Sequence, residues 1–389
     1  MNKTTESASA VKAHRASLIT ITKRASMPFG RSVLIRVAAI FAALVVAGIV
    51  TIAMTGDSPI KIYSTMFEGA FGTSWATWKT LQDIAILLGI SLAVTPAFRM
   101  KFWNTGAEGQ VLIGCLACAA TMFYLGGKVP EWLLMIFMAV ASIGAGALWG
   151  LIPAIFKSFW NTNETLFTLM MNYVSIQLIE FFLKIADKTG SNTVGPNLLS
   201  HGWYPQLFGK QYLLTIVTVA VLTVVIYFYL NYTKHGYEIS VVGESENTAK
   251  YIGINVRKVV IRTMILSGAL CGLVGLLIVG ATSHSIDSNI AGGRGFTAIM
   301  VSWLAKFNPL TMVLTALLLV FLGRGAEEVT TQRGLNSSFS DIITGIILFF
   351  IIGCEFFINY RIHFNFGDKN RARAPAADAR PAEGGKEGK

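Results

Sequence analysis

The chain has 389 residues, 53% of them hydrophobic and only 14% charged, with a mean hydropathy of +0.57. A soluble globular domain is about a quarter charged, so this depletion, together with repeated apolar runs of about 20 residues, excludes a soluble fold and places the chain in a membrane. The net charge of +11 does not point to nucleic acid, because the basic residues gather in loops and tails on alternate sides of the apolar runs.

Residues 1–30 are polar and basic (Lys12, Arg15, Lys23, Arg24) and read as a disordered cytoplasmic tail. The first apolar run, 33–54, is too long for a signal-peptide core and reads as a retained anchor helix. Residues 55–79 then carry aromatic rings at Tyr63, Phe67, Phe71, Trp75 and Trp78. Their spacing suits an amphipathic helix at the interface, and an extracytoplasmic loop anchored by tryptophans fits equally well. Further spans are expected at 80–98, ending at Pro96 with Arg99 and Lys101 beyond, and at 107–125, 132–156, 165–185 and 212–232. The span 132–156 offers a small-residue face at Gly144, Gly146 and Gly150, which lets a neighbouring helix approach closely.

A polar loop, 233–258, precedes a glycine-bearing helix at 259–281. The next two apolar runs, 296–305 and 310–322, are both short and flank Lys306-Phe-Asn-Pro309, as in a broken transporter helix. The last helix is expected at 342–360, followed by a low-complexity charged tail over 364–389. The expected fold is therefore all-α: a polytopic integral membrane protein of about ten transmembrane helices, some broken or short, with a permease domain over 31–363. An even count puts both termini on the basic, cytoplasmic side, with Arg324 and Arg333 as the exceptions.

Catalytic chemistry is poorly supplied. There is no Gly-x-x-x-x-Gly-Lys-Ser/Thr loop for ATP and no His-Glu-x-x-His, so no catalytic residue and no metal site is assigned. The five histidines fall mainly in loops and tails, and the four cysteines (Cys115, Cys118, Cys271, Cys354) lie inside apolar runs as small packing residues. The stretch FWNTGAEGQ, 102–110, is the exception to the apolar pattern. Irregular polar backbone at membrane depth survives only when buried in protein or lining a watery cavity. Phe102, Asn104, Glu108 and Gln110, with Asn172 further on, are therefore candidates either to line a translocation path or to brace it. At the start of its helix, Glu108 would also face that helix's positive end. In the loop 234–258, Ser245 can cap a short helix over 246–251 that Gly253 terminates. Ala249 and Ile252 would give that helix an apolar patch for a partner's groove.

This loop resembles the coupling segment of bacterial ABC importer permeases, and other motifs agree. FWNTGAEGQVLIGCLACA is similar to the FNxGxEGQ…G signature of the branched-chain amino acid, simple-sugar and nucleoside permease family. NETLFTLMMNY, GYEISVVGESENTAKYIGINVRK, SGALCGLVG and GGRGFTAIMVSWLAKFNP follow in the family's order and spacing, covering about 35–360. The Glu-Gly-Gln form points to the nucleoside and simple-sugar branch. Trp103 and Arg294 depart from that branch's usual residues.

The resemblance implies one permease of a heterodimeric pair in the bacterial inner (plasma) membrane. It would be served by an ABC ATPase subunit inside and a substrate-binding lipoprotein or periplasmic protein outside. ATP would be bound by the partner, leaving this chain with no cofactor and no enzymatic activity of its own. Gly243, Glu244, Ala249, Gly253 and Ile254 would form the ATPase-docking surface. The other reading of the residues is an ion-coupled secondary transporter using Asp83, Glu108, Glu180, Asp341 and Glu355.

Overall fold

The computed structural model describes residues 19–23, 28–56, 58–187, 192–336 and 338–364. In chain order the elements are β1 (Ile19–Lys23), α1 (Phe29–Thr55), α2 (Pro59–Phe71), α3 (Ser74–Arg99), α4 (Ala107–Leu125), α5 (Glu131–Trp160) and α6 (Glu164–Ala186). There follow β2 (Thr193–Val194), α7 (Leu213–Tyr232), α8 (Lys234–Glu244), α9 (Glu246–Tyr251) and α10 (Val256–Ile278), the last prolonged by a π-turn over Val279–Ser283. The chain ends with β3 (Ile286–Asp287), α11 (Arg294–Leu304), α12 (Pro309–Arg333), α13 (Ser338–Asn359) and β4 (Tyr360–Phe364). Among the described residues nine helices are long and apolar enough to cross a membrane, in keeping with the expected all-α polytopic fold.

The chain forms two compact units, Met1–Gly48 with Ile346–Lys389, and Ile49–Gly345. In the first, β1 pairs antiparallel with β4, Ile19 opposite Phe364 and Lys23 opposite Tyr360. Arg36 Nε donates to Glu355 Oε1 at 3.1 Å, joining α1 to α13. The strand β1 corrects part of the expected disordered tail: residues 19–23 have a partner strand, and a partner supplies the backbone bonds a lone segment lacks. The rest of that tail to residue 27, apart from 19–23, and the tail from 365 lie outside the described residues.

In the second unit α3 is the central element. Its most apolar window is 94% buried, against 22% for α5 and 28% for α7, whose outer faces expose apolar side chains. Glycines set the closest approaches. A Cβ on Gly114 of α4 would lie 2.7 Å from Gly272 Cα of α10, and one on Gly146 of α5 would collide with the carbonyl of Gly268. Ser142, Gly146 and Gly150 therefore form the small face that meets α10, while Gly144 points into open space. This corrects the expected face by one position.

Three boundaries differ from expectation for physical reasons. α3 continues through Pro96 to Arg99, because a proline in the last turn forfeits only one backbone bond. α8 forms within the supposed loop: Thr233 caps it, accepting from Gly236 N at 3.1 Å, and Arg262 ties Glu238 to α10 at 2.8 Å. α12 runs on past residue 322 to Arg333, since Arg324 finds a buried partner. The segment 59–71 is a helix, with Gly325 of α12 packed on its Met66.

At 11 residues α11 is about 16 Å long, roughly half the hydrocarbon thickness. It lies parallel to α3: Arg294 sits at Asp83, Ser302 Oγ donates to Ser91 O at 2.9 Å, and Phe307 stacks on Phe98 at 6.4 Å. α12 runs back the other way, from Met312 at Thr95 to Arg324 at Asp83. The segment from 284 through α11 thus lays a half-length helix alongside α3, beside the nine full-length ones.

Candidate functional site

The polar stretch after α3 is a hydrogen-bonded plug. Lys101 takes a left-handed conformation (φ 61°) and Phe102 N closes the helix by donating to Ala97 O at 3.0 Å. Asn104, fully buried, accepts from Gly106 N at 3.1 Å and donates to Ser267 Oγ of α10 at 3.3 Å and Gln110 Oε1 at 3.4 Å. Asn172 of α6 bridges the stretch, accepting from Gly109 N at 2.8 Å and donating to Thr105 O at 2.9 Å. Thr105 N and Oγ1 both meet Thr168 Oγ1, at 3.2 and 3.0 Å. Every polar group invoked here has a protein partner, which is the condition for irregular backbone at membrane depth. Asn104, Gln110 and Asn172 are therefore placed as braces between α4, α6 and α10. Phe102, also buried, lies on the wall of a cavity beside α9.

Glu108 lies in the first turn of α4, as expected, and its carboxylate also reaches a second helix. Its Oε1 accepts from Gly293 N at 2.8 Å and its Oε2 from Gly295 N at 2.6 Å, so the carboxylate caps the N-terminus of α11. The chain there turns through two left-handed glycines, Gly292 (φ 60°) and Gly293 (φ 72°), and a Cβ on Gly295 would strike the backbone of Glu108. The glycines of GGRG let two amides face one carboxylate at the positive end of a helix dipole.

Beside this cap lies an ion cluster that single-motif reading misses. Asp83, 5% exposed in α3, accepts from Arg324 Nε of α12 at 2.7 Å and from Arg294 Nη2 of α11 at 3.2 Å. Glu108 and Asp83 together hold the start of α11 against α4, α3 and α12. The available signal was a carboxylate, Asp83, inside an apolar run and two arginines at the ends of others, which a membrane tolerates when they pair. Two carboxylates proposed as ion-coupling sites, Asp83 and Glu108, are thus engaged in structural partnerships, as is Glu355 with Arg36.

At the other end of the unit, Ser245 Oγ accepts from Thr248 N at 3.3 Å and caps α9, which ends at Tyr251 with Gly253 at φ 83°. Ala249 is fully buried, and a Cβ on Gly243 would run into the carbonyl of Arg99. These two residues of the expected docking set face inward, against α8 and the end of α3. Glu244 and Gly253 are exposed and Ile254 half-buried. The outward face also carries Ile252, half of the expected apolar patch, and Tyr251, 93% exposed, which the expected patch did not include.

The loops opposite α9 are held by β2–β3 pairing and by Glu131, which accepts from Gly202 N at 2.7 Å and meets His201 Nδ1 at 2.8 Å. His284 stacks on Trp203 at 4.1 Å, and burial holds its imidazole below the usual pKa.

Residues 76–352 match the family described as branched-chain amino acid transport system / permease component. The chain belongs to that family. It is a multi-pass membrane permease, the transport subunit of its system. It is 30% identical over 328 residues to the guanosine ABC transporter permease of Bacillus subtilis (strain 168), covering 82% of this chain and 92% of the relative. A glucose ABC transporter permease of Haloferax volcanii is 28% identical over 358 residues, covering 88% and 93% respectively. A nucleoside ABC transporter permease of Lactococcus lactis subsp. cremoris is 27% identical over 334 residues, covering 82% and 91%.

Proposed function

We propose that this permease carries nucleosides or simple sugars inward through the cytoplasmic membrane as one half of an ATP-driven importer. The observation that carries the reading is the 30% identity to a guanosine permease over most of both chains, seconded by nucleoside and glucose permease relatives. ATPase subunits dock on the face formed by Glu244, Tyr251, Ile252, Gly253 and Ile254. A binding protein delivers substrate at the opposite face, and a second, different permease completes the pathway. ATP stays on the ATPase, so this chain needs no cofactor and performs no covalent step.

The packing supports a mechanical route for coupling. α9 follows α8 at Ser245, α8 seats Gly243 on the end of α3, and α3 holds α11 through Ser91 and Asp83. A shift of α9 driven by the ATPase is thereby delivered to the half-helix whose start Glu108 caps. In this reading Phe102, Asn104, Gln110 and Asn172 keep the hinge between α3 and α4 in register.

The test is reconstitution of the permease with its ATPase, second permease and binding protein in vesicles. Uptake of radiolabelled guanosine, ribose and glucose is measured against leucine. ATP-dependent uptake of a nucleoside or sugar that fails when the binding protein is omitted is the expected result. Uptake that persists without ATP and collapses with the proton gradient would overturn the assignment.

A further inference from the structure

A cavity of about 380 Å³ opens beside α9, between the end of α3, the end of α5, the start of α6 and the start of α10. Its volume is that of a small-molecule pocket, about 300–1,000 Å³. Four cations line it. Two are compensated, Lys157 by Glu164 at 2.9 Å and Lys250 by Glu246 at 4.0 Å. Lys101 and Arg257 have no carboxylate partner among the described residues, and Arg257 meets only the Phe159 ring, at 5.4 Å. The pocket therefore carries two uncompensated positive charges. Ser158 and Asn161 stand on the same wall.

Two further features give the depth and the direction. Phe159 and Trp160, 57% and 66% exposed, stand at the end of α5 beside the pocket, and exposed aromatic rings of this kind mark the headgroup level of a bilayer. From that level Leu166, Met170 and Tyr173 form an exposed stripe along α6, at helical spacing that keeps them on one face. A polar, positively charged cavity beside rings of the headgroup level, with an apolar stripe that begins two residues beyond its Glu164, matches a headgroup above an acyl chain.

We propose that this pocket binds the phosphate of an anionic phospholipid, with Lys101 and Arg257 as the charge partners. Basic pockets between helices on the cytoplasmic side are the recognised form of such sites. The bound lipid touches α8, α9 and the hinge at Phe102 together, and so bears on the element that moves with the ATPase. The inference does not rest on the transported substrate.

The test uses the assembled importer, permease with its ATPase, in nanodiscs of phosphatidylcholine containing phosphatidylglycerol or cardiolipin, followed by mass spectrometry of the lipids retained after mild delipidation. Wild type retains the anionic lipid over phosphatidylcholine. K101A/R257A weakens that retention about 30-fold, the effect of removing two interfacial charges, while K101R/R257K and the distant K128A retain it. Equal retention by wild type and K101A/R257A overturns the proposal. Should K101A/R257A fail to assemble, competition on wild type decides. Displacement of the lipid by millimolar sodium phosphate would make the ligand a free anion and overturn the lipid assignment. Retention by the permease alone that is lost when the ATPase is added would make the pocket part of the protein interface, with the same consequence. Because the readout is bound lipid, failure here leaves the transport assignment untouched, and failure of uptake leaves this one untouched.

Discussion

Glu108 is stable at membrane depth because two backbone amides, on Gly293 and Gly295, give it charge-assisted hydrogen bonds. E108A leaves both amides buried without a partner, at about 1–3 kcal/mol each. E108Q keeps the shape but brings an N–H₂ group against one of them. Thermal unfolding of the purified importer should fall in the order wild type, E108Q, E108A. A wild-type transition in E108A would remove the capping role. Asp83 makes a sharper case, since it balances two cations. Removing one member of a buried pair costs about 3–5 kcal/mol, chiefly through the charge left behind. D83A strands both arginines and should destabilise most. R324A comes next, and R294A least, because Arg294 makes a single longer bond and is a third exposed. The same unfolding assay ranks the three, and R294A as harmful as D83A would refute the ordering.

At the scale of the element, helices pack here by removal of side chains. α10 presents Gly268 and Gly272 to α5, and Gly272 and Gly275 to α4, so a single helix has its backbone against two neighbours. G146L should abolish a monodisperse folded product, whereas G144L two residues earlier should be silent, because Gly144 faces open space. Size-exclusion chromatography of tagged variants distinguishes them. α9 divides in the same way between an inner and an outer face. A249E should lose the folded α9 along with ATPase assembly, since Ala249 has no room for a charge. Y251A should keep a wild-type unfolding transition but co-purify less ATPase. Undiminished co-purification in Y251A would move the docking surface elsewhere.

On the scale of the whole molecule, the pairing of β1 with β4 brings the entry to α1 and the exit from α13 together. A chain whose two ends share one side needs an even number of crossings. The nine full-length spans satisfy this once the half-helix α11 and the extended chain before it count as a tenth. Cysteines introduced at Tyr251 and Arg361 should react with a membrane-impermeant thiol reagent only after permeabilisation, and one at Lys210 should react in intact cells. Opposite labelling of positions 251 and 361 would break the ten-crossing topology. The four native cysteines are all buried and make no disulfide, so the background of such labelling is low.

Membrane residence, eight of the nine long helices and the helix α9 with its Ser245 and Gly253 caps were legible in the chain itself. Each depends on properties local to a segment: apolar length, a capping side chain, a glycine that takes positive φ. The family was legible too, through motifs in order rather than through any one of them. The roles of individual polar residues were not. Whether Glu108 also reaches a second helix depends on a loop 185 residues away, and whether Ala249 faces a partner or the core depends on α8. The length of α12 is the plainest instance. Its charged turn reads as a helix end until Asp83, 241 residues earlier, supplies the counter-charge that lets Arg324 remain inside. Local propensity determined where helices begin and what they avoid. Only the tertiary structure decided which buried charges and amides meet, because their desolvation is compensated by partners distant in sequence.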